Sequence, residues 1–439
     1  MTNTSARRAD IATATATGFT SKQRKAILAG SVGNVIEWLD WALYATLAPL
    51  FASQFFDSSD PTAALLATLA VFAVGFVMRP IGGAVLGAYA DRHGRKKGLV
   101  LTIGLMAVSS ILIGLIPTFG AIGTLAPILL VLIRLLQGFS AGGEFGSSSS
   151  FLVESAAPGR RAFAGSWQQV SVATGVLLAS VTGFTMTSML SEEAVSSYGW
   201  RIAFIVAGLL GLAGLWLRVT VEETDSFRRA SAEGKTKQKH PLVGLLRDHP
   251  MAALRVVGIT IPGTLLYYMW MSYMPGYAKS AMGIDLNQGF LANIIAAGYF
   301  ICLLPLVGIL SDRFGRKPTM LAFVCGFLVF AYPAFQLLGQ GTFSVLLIVE
   351  LIGVTFLAGY SANCAVIMSE QFPPEVRATG IGLPYALAVA LFGGTAPYIT
   401  TWMAGAGYRD LTWIYVSAAA LIGVVVYATM PETKGKEFV

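Results

Sequence analysis

Long apolar stretches alternate with short polar ones along the chain. Most stretches hold roughly 20 apolar residues, and a helix of that length crosses ~30 Å of hydrocarbon. The pattern predicts twelve helices, near residues 26–53, 62–90, 98–117, 122–153, 161–188, 199–219, 251–278, 287–310, 318–338, 343–369, 377–404 and 410–430. We therefore expect an all-α membrane protein with twelve transmembrane helices.

The composition agrees with a membrane environment. Of the 439 residues, 55% are hydrophobic and 12% are charged, and the mean hydropathy is +0.67, whereas soluble chains carry about 25% charged residues. The first 25 residues contain no apolar run, so we predict no cleavable secretory signal. Cys302, Cys325 and Cys364 all fall in apolar stretches, which favours a packing role over disulfides or a metal site.

The basic residues indicate the orientation. Most Lys and Arg residues lie at the two termini and in every second connection, while Lys279, Arg201 and Arg409 lie on the other side. By the positive-inside rule both termini are predicted to be cytoplasmic, in a multi-pass protein of a bacterial cytoplasmic membrane. The net charge of +7 then faces anionic lipid, and no nucleic-acid partner is needed to explain it.

The longest polar stretch divides six predicted helices from six. The predicted organisation is a cytoplasmic amino-terminal tail (1–25), a first six-helix bundle (26–220), a cytoplasmic linker (221–249), a second bundle (250–430) and a cytoplasmic carboxyl-terminal tail (431–439). The basic residues of the linker could form a target for calmodulin-like or nucleic-acid partners. A solvated linker lying on the membrane surface is the favoured interpretation.

An internal repeat relates the two halves. The segment GAYADRHGRK at 87–96 returns as GILSDRFGRK at 308–317, and both copies follow the second helix of a half. Glu154 and Arg161, likewise, return as Glu370 and Arg377 in the second half. The repeat predicts two bundles that are structural copies around a central site.

The repeated spacing G-x-x-x-D-R-x-G-R-K resembles the signature of the major facilitator superfamily. The segments GNVIEWLDW (33–41), MRPIGG (78–83) and RLLQGFSAGGE (134–144) further resemble its metabolite:proton symporter branch. That branch includes transporters for alpha-ketoglutarate, citrate, shikimate and proline/betaine. The resemblance implies two pseudo-symmetric six-helix bundles that work by alternating access. Leu39 and Trp41 depart from the branch, which often has Phe at both positions.

Ionisable residues inside the spans are the strongest functional candidates, because each costs at least ~2.5 kcal/mol to insert. Glu37 lies roughly 18 Å along the first helix from Lys25. Asp40, Trp41 and Tyr44 follow it at helical spacing, so two carboxylates and two aromatic rings share one face.

Two arginines form the counterpart of this acidic face. Arg79 lies in the second span, and Arg134 begins a polar stripe on the fourth span that continues through Gln137 and Glu144. A polar stripe on a spanning helix faces protein or water, so we expect these stripes to meet in one cavity. An arginine pair suits a carboxylate-bearing substrate, because each guanidinium is a planar fork that stays charged.

The alternative is that each arginine neutralises an acid of its own bundle. Arg134 could pair with Glu37, and Arg79 with Asp40 or Glu144. Six further residues are predicted to line the substrate site, some through resemblance or repeat symmetry: Asn34, Tyr44, Gln137, Gln169, Tyr268 and Tyr385.

Proton coupling needs a group that gains and loses a proton in each cycle. The three histidines all lie in predicted cytoplasmic connections: His93, His240 and His249. Burial favours the protonated form of a carboxyl group, which leaves Glu37, Asp40 and Glu144 as predicted proton carriers. Glu144 follows two glycines, so a structural role is an open alternative for it. Glu350, at the repeat position of Arg134, is the one acid deep in the second half.

The resemblance also implies a cytoplasmic gate that latches the outward-open state. Its predicted members are Gly87, Asp91, Arg92, Gly94, Arg95, Glu154, Arg161, Asp312, Arg313, Arg316, Glu370 and Arg377. The alternative is that the same charges only keep these loops in the cytoplasm.

The sequence thus predicts a proton-coupled symporter that imports a small organic acid, such as alpha-ketoglutarate or citrate. Alternatives are a zwitterionic osmolyte such as proline/betaine, an aromatic or alicyclic acid such as shikimate, or a nutrient receptor or channel. Osmolyte carriers of the branch tend to have Lys at the Arg134 position and a long carboxyl-terminal coiled coil, which favours the acid. The expected partners are the organic acid, protons and the lipid bilayer, for a monomer without cofactor, metal or enzymatic activity.

Overall fold

The computed structural model describes residues 21–56, 59–93, 95–154, 156, 159–219, 247–373 and 376–435. Within these ranges, side chains are described except those of residues 21–32, 87–88, 90–93, 95–96, 99, 143–144, 147–148, 151 and 217–219. Most of the predicted amino-terminal tail and nearly all of the predicted linker therefore lie outside the described residues.

The described chain is helical and contains no strand. The first half holds α1 (Ser21–Phe55), α2 (Pro61–His93), α3 (Arg95–Leu115), α4 (Leu125–Ser140, continued by Glu144–Glu154), α5 (Arg161–Met189) and α6 (Glu192–Ala194, continued by Trp200–Val219). The second half holds α7 (Pro250–Tyr267, continued by Met274–Met282), α8 (Leu286–Phe314), α9 (Arg316–Leu338), α10 (Phe343–Ser361, continued by Cys364–Ser369), α11 (Arg377–Ala388, continued by Ala396–Gly405) and α12 (Thr412–Thr429). The predicted twelve-helix membrane fold is confirmed.

The helices match a bilayer in length and composition. Nine of those in the described ranges are long and apolar enough to cross it, and α3 and α4 add the shorter apolar segments Val100–Leu115 and Leu125–Ser140. Large apolar side chains such as Val329 and Leu391 point outwards and are exposed. An outer surface of this kind is stable only against lipid tails.

One predicted boundary was wrong by seven residues. We expected the sixth helix to begin at residue 199, because the preceding residues are polar. The helix begins at Glu192, where the hydroxyl of Ser191 accepts a hydrogen bond from the amide of Ala194 at 3.2 Å. A π-helical turn then connects this cap to Trp200, which is fully buried. A polar cap can thus extend a helix beyond its apolar run.

The expected packing role of the cysteines was wrong for two of them. Cys302 and Cys325 are exposed on the outer surface, and Cys364 is buried. The apolar runs around the first two cysteines mark a surface that faces lipid, since in a membrane protein an apolar segment need not face the core.

The two halves meet along α5 and α8, which run antiparallel. At one end, the side-chain amide of Asn287 donates to the hydroxyl of Ser188 at 2.6 Å. At the other end, the Asp312 carboxylate accepts from the backbone amide of Ala162 at 3.0 Å. Polar contacts therefore join the halves near both membrane surfaces.

Glycines bring α2 and α4 into backbone contact. A Cβ atom on Gly138 would lie 1.7 Å from the carbonyl oxygen of Gly75, and one on Gly82 would lie 1.8 Å from the carbonyl oxygen of Phe139. Only glycine permits this approach. Because Arg79 lies between the two α2 glycines, the contact holds it close to α4.

We expect Gly138→Ala to reduce the free energy of unfolding by at least ~1–3 kcal/mol, because the added methyl group would overlap backbone atoms of α2. The measurement is the thermal midpoint of the purified protein in detergent. Gly298→Ala is the matched control, because nothing lies within 4 Å of a Cβ atom on Gly298. Equal midpoints for the two variants would contradict the predicted packing constraint.

Candidate functional site

Arg134 is buried among aromatic rings in the first half. Its side chain is 0% exposed, and its guanidinium carbon lies 4.2 Å from the ring centroid of Tyr44 and 4.4 Å from that of Trp41. The ring centroid of Phe72 on α2 lies 5.4 Å from the same guanidinium carbon. Cation–π contacts of a desolvated guanidinium are worth about 2 kcal/mol or more, so the rings offset part of the cost of burial.

A hydrogen-bonded chain connects Arg134 to an acid. The guanidinium donates from Nη1 to the side-chain oxygen of Gln137, and the amide nitrogen of Gln137 donates to Asp40. The second carboxylate oxygen of Asp40 accepts from the hydroxyl of Ser110 on α3. The predicted faces of α1 and α4 therefore meet. Arg134 and Asp40 are thus joined through an amide. The alternative predicted from the sequence was an ion pair of Arg134 with Glu37, and of Arg79 with Asp40 or Glu144.

Arg79 shares an aromatic ring with Arg134. Its guanidinium carbon lies 4.0 Å from the ring centroid of Trp41 and 4.5 Å from that of Phe76. Tyr268, from the other half, faces both Arg79 and Trp41. Two cations thus lie on one indole, at the place where the halves meet.

Several donors around this indole have no hydrogen-bond partner among the described residues. They are Nε and Nη2 of Arg134, Nε of Arg79, the hydroxyl group of Tyr268, and that of Tyr267, whose ring centroid lies 5.9 Å from the centroid of Tyr268. A buried donor without a partner costs about 1–3 kcal/mol, and a charged one costs more. The cluster formed by Trp41, Arg79, Arg134, Tyr267 and Tyr268, called here the arginine–indole cluster, therefore suits a bound anion.

Other predicted site residues are engaged elsewhere. The hydroxyl of Tyr44 donates to the backbone oxygen of Thr68 at 3.2 Å, so Tyr44 offers its ring to the cluster. The side-chain amide of Gln169 donates to the sulfur of Cys364 at 3.2 Å, across the interface of the halves. Gln169 is thus part of an inter-half contact, and its predicted place in the substrate site is not supported by this geometry.

Aromatic rings from opposite halves also contact each other. Phe145 of α4 stacks on Tyr385 of α11 with ring centroids 3.8 Å apart and planes within 4° of parallel. Phe76 of α2 meets Tyr268 of α7 edge to face at 5.2 Å. Tyr385 was predicted as a ligand, and the structure makes it part of a contact between the halves.

The remaining candidates on α1 and α4 are less central. Asn34 and Glu37 are half-buried, whereas Asp40 is 2% exposed. The side chain of Glu144 lies outside the described residues. Of the three predicted proton carriers, Asp40 is the one that the structure connects to Arg134.

A second set of charged residues joins the halves at the predicted cytoplasmic face. The carboxylate of Asp312 accepts from the backbone amides of Ala162 and Phe163 at 3.0 and 2.9 Å, at the amino terminus of α5. Arg316 donates to Asp312 at 3.0 Å and to Glu370 at 3.3 Å. The amino terminus of α5 and the Arg316 guanidinium thus both contact the carboxylate of Asp312.

Arg377 and Arg161 extend this set. Arg377 donates to Glu154 of the other half at 2.5 Å and to the backbone oxygen of Phe372 at 3.1 Å. Arg161 lies 4.0 Å from Glu370 across the interface. Burial raises the pKa of Glu370, and the arginines lower it only in part. The inter-half ion network is defined here as Glu154, Arg161, Asp312, Arg316, Glu370 and Arg377.

The carboxyl-terminal segment joins this network, which the sequence reasoning missed. Glu432 accepts from the backbone amides of Arg316 and Lys317 at 3.0 and 2.9 Å, and the Thr433 hydroxyl bonds to Glu370. Burial raises the pKa of Glu432, but four backbone amides together lower it below its usual value. The only signal in the sequence was an acid directly after the proline that follows the last helix.

Other predicted gate residues are not seen in the network. The guanidinium of Arg313 is exposed and lies over the ring of Phe314 at 5.4 Å. Its repeat equivalent in the first copy of the motif cannot be compared with it. Gly94 lies outside the described residues. The side-chain positions of the other predicted gate residues in that copy are also not described: Gly87, Asp91, Arg92 and Arg95.

Comparisons with known proteins agree with this fold. The chain matches the family model of the Major Facilitator Superfamily over residues 30–304 and that of the Sugar (and other) transporter family over 227–439. It is 37% identical to the alpha-ketoglutarate permease of Escherichia coli, covering 94% of each chain. It is 36% identical to the citrate-proton symporter of Klebsiella pneumoniae (91% of this chain, 90% of that protein) and 32% identical to the proline/betaine transporter of Salmonella typhimurium (94% and 85%).

Solved structures show the same fold. The chain aligns with the proton:xylose symporter XylE bound to 6-bromo-6-deoxy-D-glucose with a TM-score of 0.75 at 20% identity, covering 94% of this chain and 96% of that chain. At this identity the likeness concerns the fold alone.

We expect Arg377→Gln to open the interface at the predicted cytoplasmic face, because it removes the cation that pairs with Glu154. In a Cys302→Ser, Cys325→Ser background, the alkylation rate of Cys364 by a maleimide reports this opening. Glu154 is 46% exposed, so solvent screening reduces the contribution of the pair to about 1 kcal/mol, which corresponds to a roughly fivefold faster rate.

Arg409→Gln is the matched control, because Arg409 and Asp410 form an exposed pair at the opposite face. It should leave the alkylation of Cys364 unchanged. An unaltered rate in Arg377→Gln would show that this ion pair does not hold the interface closed.

Proposed function

Because the chain belongs to the Major Facilitator Superfamily of multi-pass membrane transporters, we propose that it is a proton-coupled symporter for a small organic acid. Family membership confirms the expectation of a transporter without enzymatic activity. The proposed cycle is alternating access, in which substrate and proton enter together and the two halves rock around the arginine–indole cluster.

The observation that carries the proposal is the pair of buried guanidinium groups on Trp41. Two cations that share one ring repel each other, and the low-dielectric surroundings strengthen that repulsion. Neither Arg79 nor Arg134 forms an ion pair with an acid among the described residues. A substrate carboxylate would remove the repulsion and accept the unused N–H groups, in the bidentate geometry that arginine favours.

The substrate class follows from the rest of the cluster. The hydroxyl groups of Tyr267 and Tyr268 lie in the other half and have no hydrogen-bond partner among the described residues, so they can donate to a second carboxylate or a keto oxygen. A di- or tricarboxylate or a keto acid has both acceptors. The relatives named for alpha-ketoglutarate and citrate support this class.

A zwitterionic osmolyte is the second candidate, because relatives named for proline and betaine are 32% identical to this chain. Its ammonium group would need an aromatic cage or an acid. The rings of Trp41, Tyr44 and Phe72 already hold two guanidinium groups. Contacts of this kind favour an anion over a cation, and the same reasoning allows an aromatic or alicyclic acid.

Asp40 is proposed as the proton carrier that couples to the substrate. In its ionised form it accepts hydrogen bonds from Ser110 and Gln137, and Gln137 then turns its oxygen to Arg134. Protonation converts one of these acceptors into a donor and breaks the chain. Arg134 would then lose its indirect counter-charge, and its affinity for a substrate carboxylate would rise.

The inter-half ion network is proposed as the gate at the cytoplasmic face, with both termini on that side. The network joins α4, α5, α8, α10 and α11, so it would need to break before the substrate is released. The remaining proposed partners are protons and the lipid bilayer, and the working unit is a monomer.

We expect Arg134→Ala to reduce substrate affinity at least ~100-fold, since two charge-assisted hydrogen bonds at about 1.5–3 kcal/mol each are lost. Counterflow in proteoliposomes, with alpha-ketoglutarate, citrate, shikimate and proline as cargoes, measures the effect. Arg409→Ala is the control for a general loss of positive charge. Full uptake by Arg134→Ala would contradict substrate anchoring by Arg134. Failure of the variant to enter the membrane would instead support a structural role.

We expect Asp40→Asn to reduce accumulation driven by a pH gradient and to keep counterflow exchange, because asparagine cannot carry a proton. Uptake is compared with and without a protonophore in the same vesicles. Wild-type uptake that ignores the protonophore would refute proton coupling. Accumulation by Asp40→Asn at the wild-type level would exclude Asp40 as a proton carrier.

A further inference from the structure

We propose that Glu350 on α10 is a second proton-binding site of the cycle, in the half opposite Asp40. This inference rests on the proposed proton-coupled function. Glu350 is 0% exposed, and neither of its carboxylate oxygens has a hydrogen-bond partner in the described part of the chain. Of the acids with described side chains, it is the one that is fully buried with both oxygens unused.

No charged group compensates Glu350. The helices packed against this part of α10 are α7, α8 and α9, and no described ion pair includes Glu350. The ionisable side chains that these helices carry within the membrane fall into three groups. Three tyrosines form hydrogen bonds elsewhere: Tyr273 with Thr401, Tyr277 with Thr412 and Tyr299 with Thr355. Cys302, Cys325 and Tyr332 are exposed on the outer surface, and Tyr267 and Tyr268 belong to the arginine–indole cluster.

The physical consequence is that Glu350 is neutral in this conformation. An ionised carboxylate that is buried without partners costs several kcal/mol even after the protein relaxes. A protonated carboxyl group in the same place leaves one hydroxyl donor unused, at about 1–3 kcal/mol. The proton therefore stays on the carboxyl group while the site is dry, and it can exchange with water when the site is hydrated.

A chain of hydrogen bonds connects this site to the interface of the halves. Ser180 on α5 donates to Asn293 on α8 at 2.8 Å, and Asn293 donates to the backbone oxygen of Trp270 at 3.3 Å. The indole nitrogen of Trp270 faces the backbone oxygen of Val349 at 3.4 Å, one residue before Glu350. Separation of α5 from α8 would thus act on the backbone next to Glu350.

The backbone near Trp270 and Glu350 has two features that suit such a movement. Trp270 lies in a π-helical turn, Tyr268–Tyr273, which also contributes Tyr268 to the arginine–indole cluster. Gly353, one turn after Glu350, gives the indole its space: a Cβ atom there would lie 2.0 Å from the indole nitrogen. π-Helical turns inside α-helices occur frequently at functional sites. The turn therefore connects the substrate site, the interface and Glu350.

In the proposed step, a proton from water binds a carboxylate oxygen of Glu350 when the second half is hydrated from one side. Closure of the halves then traps the neutral acid. Hydration from the other side returns the proton to water and leaves the carboxylate. Each cycle carries this proton in addition to the one on Asp40. Arg134 and Glu350 occupy equivalent repeat positions. At this position the first half has a permanent cation, and the second half has an acid that binds a proton reversibly.

The first test is the number of protons carried per alpha-ketoglutarate in proteoliposomes, measured from the reversal potential of transport. Glu350→Gln should carry one proton fewer than the wild type and should keep counterflow exchange. Glu350→Asp, which still titrates, is the matched control and should keep the wild-type ratio. An unchanged ratio in Glu350→Gln would overturn the proposal.

The second test needs no transport. Infrared spectroscopy of the protein without cargo should show the C=O band of a protonated carboxyl group that disappears in Glu350→Gln and persists in Asp40→Asn. Absence of a band that depends on Glu350 would overturn the proposal, even if the variant fails in transport. Wild-type transport that moves no proton with any cargo would instead refute the proposed function.

Discussion

A charged side chain can stay inside the hydrocarbon region only where protein groups replace the water it has lost. Arg134 meets this constraint with two aromatic rings of α1, one of α2 and a single hydrogen bond to Gln137. Two of its nitrogens remain without a partner among the described residues. The surrounding structure thus compensates the charge only in part, and an anionic substrate can supply the remainder.

The same constraint explains why the two halves differ in chemistry although they are copies in fold. The first half carries permanent cations, and aromatic rings and the side-chain amide of Gln137 reduce the free-energy cost of burying them. The second half carries Glu350. When this carboxylate binds a proton, the free-energy cost of its burial falls to that of a neutral group. At the predicted cytoplasmic face, where partners are abundant, charges pair directly, as Arg316 does with Asp312 and Glu370. Burial and the availability of hydrogen-bonding or charged partners together decide which groups stay charged and which can bind and release a proton.

The sequence predicted the local parts of this structure well. The spans, the repeat and the polar faces of α1 and α4 depend on residues close in the chain, and helical periodicity is enough to predict them. The faces did meet, with Asp40 joined to Arg134 through Gln137. Periodicity could not predict that Trp41 would hold two guanidinium groups, because the approach of α2 to α4 depends on backbone contact at Gly75 and Gly138.

The sequence by itself therefore determined a twelve-helix membrane transporter with charged residues at mid-membrane, because hydropathy and repeat spacing are properties of the chain alone. Only the tertiary structure decided which of those charges are compensated. Gln169 and Tyr385 became contacts between the halves, Glu432 joined the ion network, and Glu350 was left without a partner among the described residues. Partners of this kind come from residues more than a hundred positions apart, and their distances depend on how the two halves close on each other.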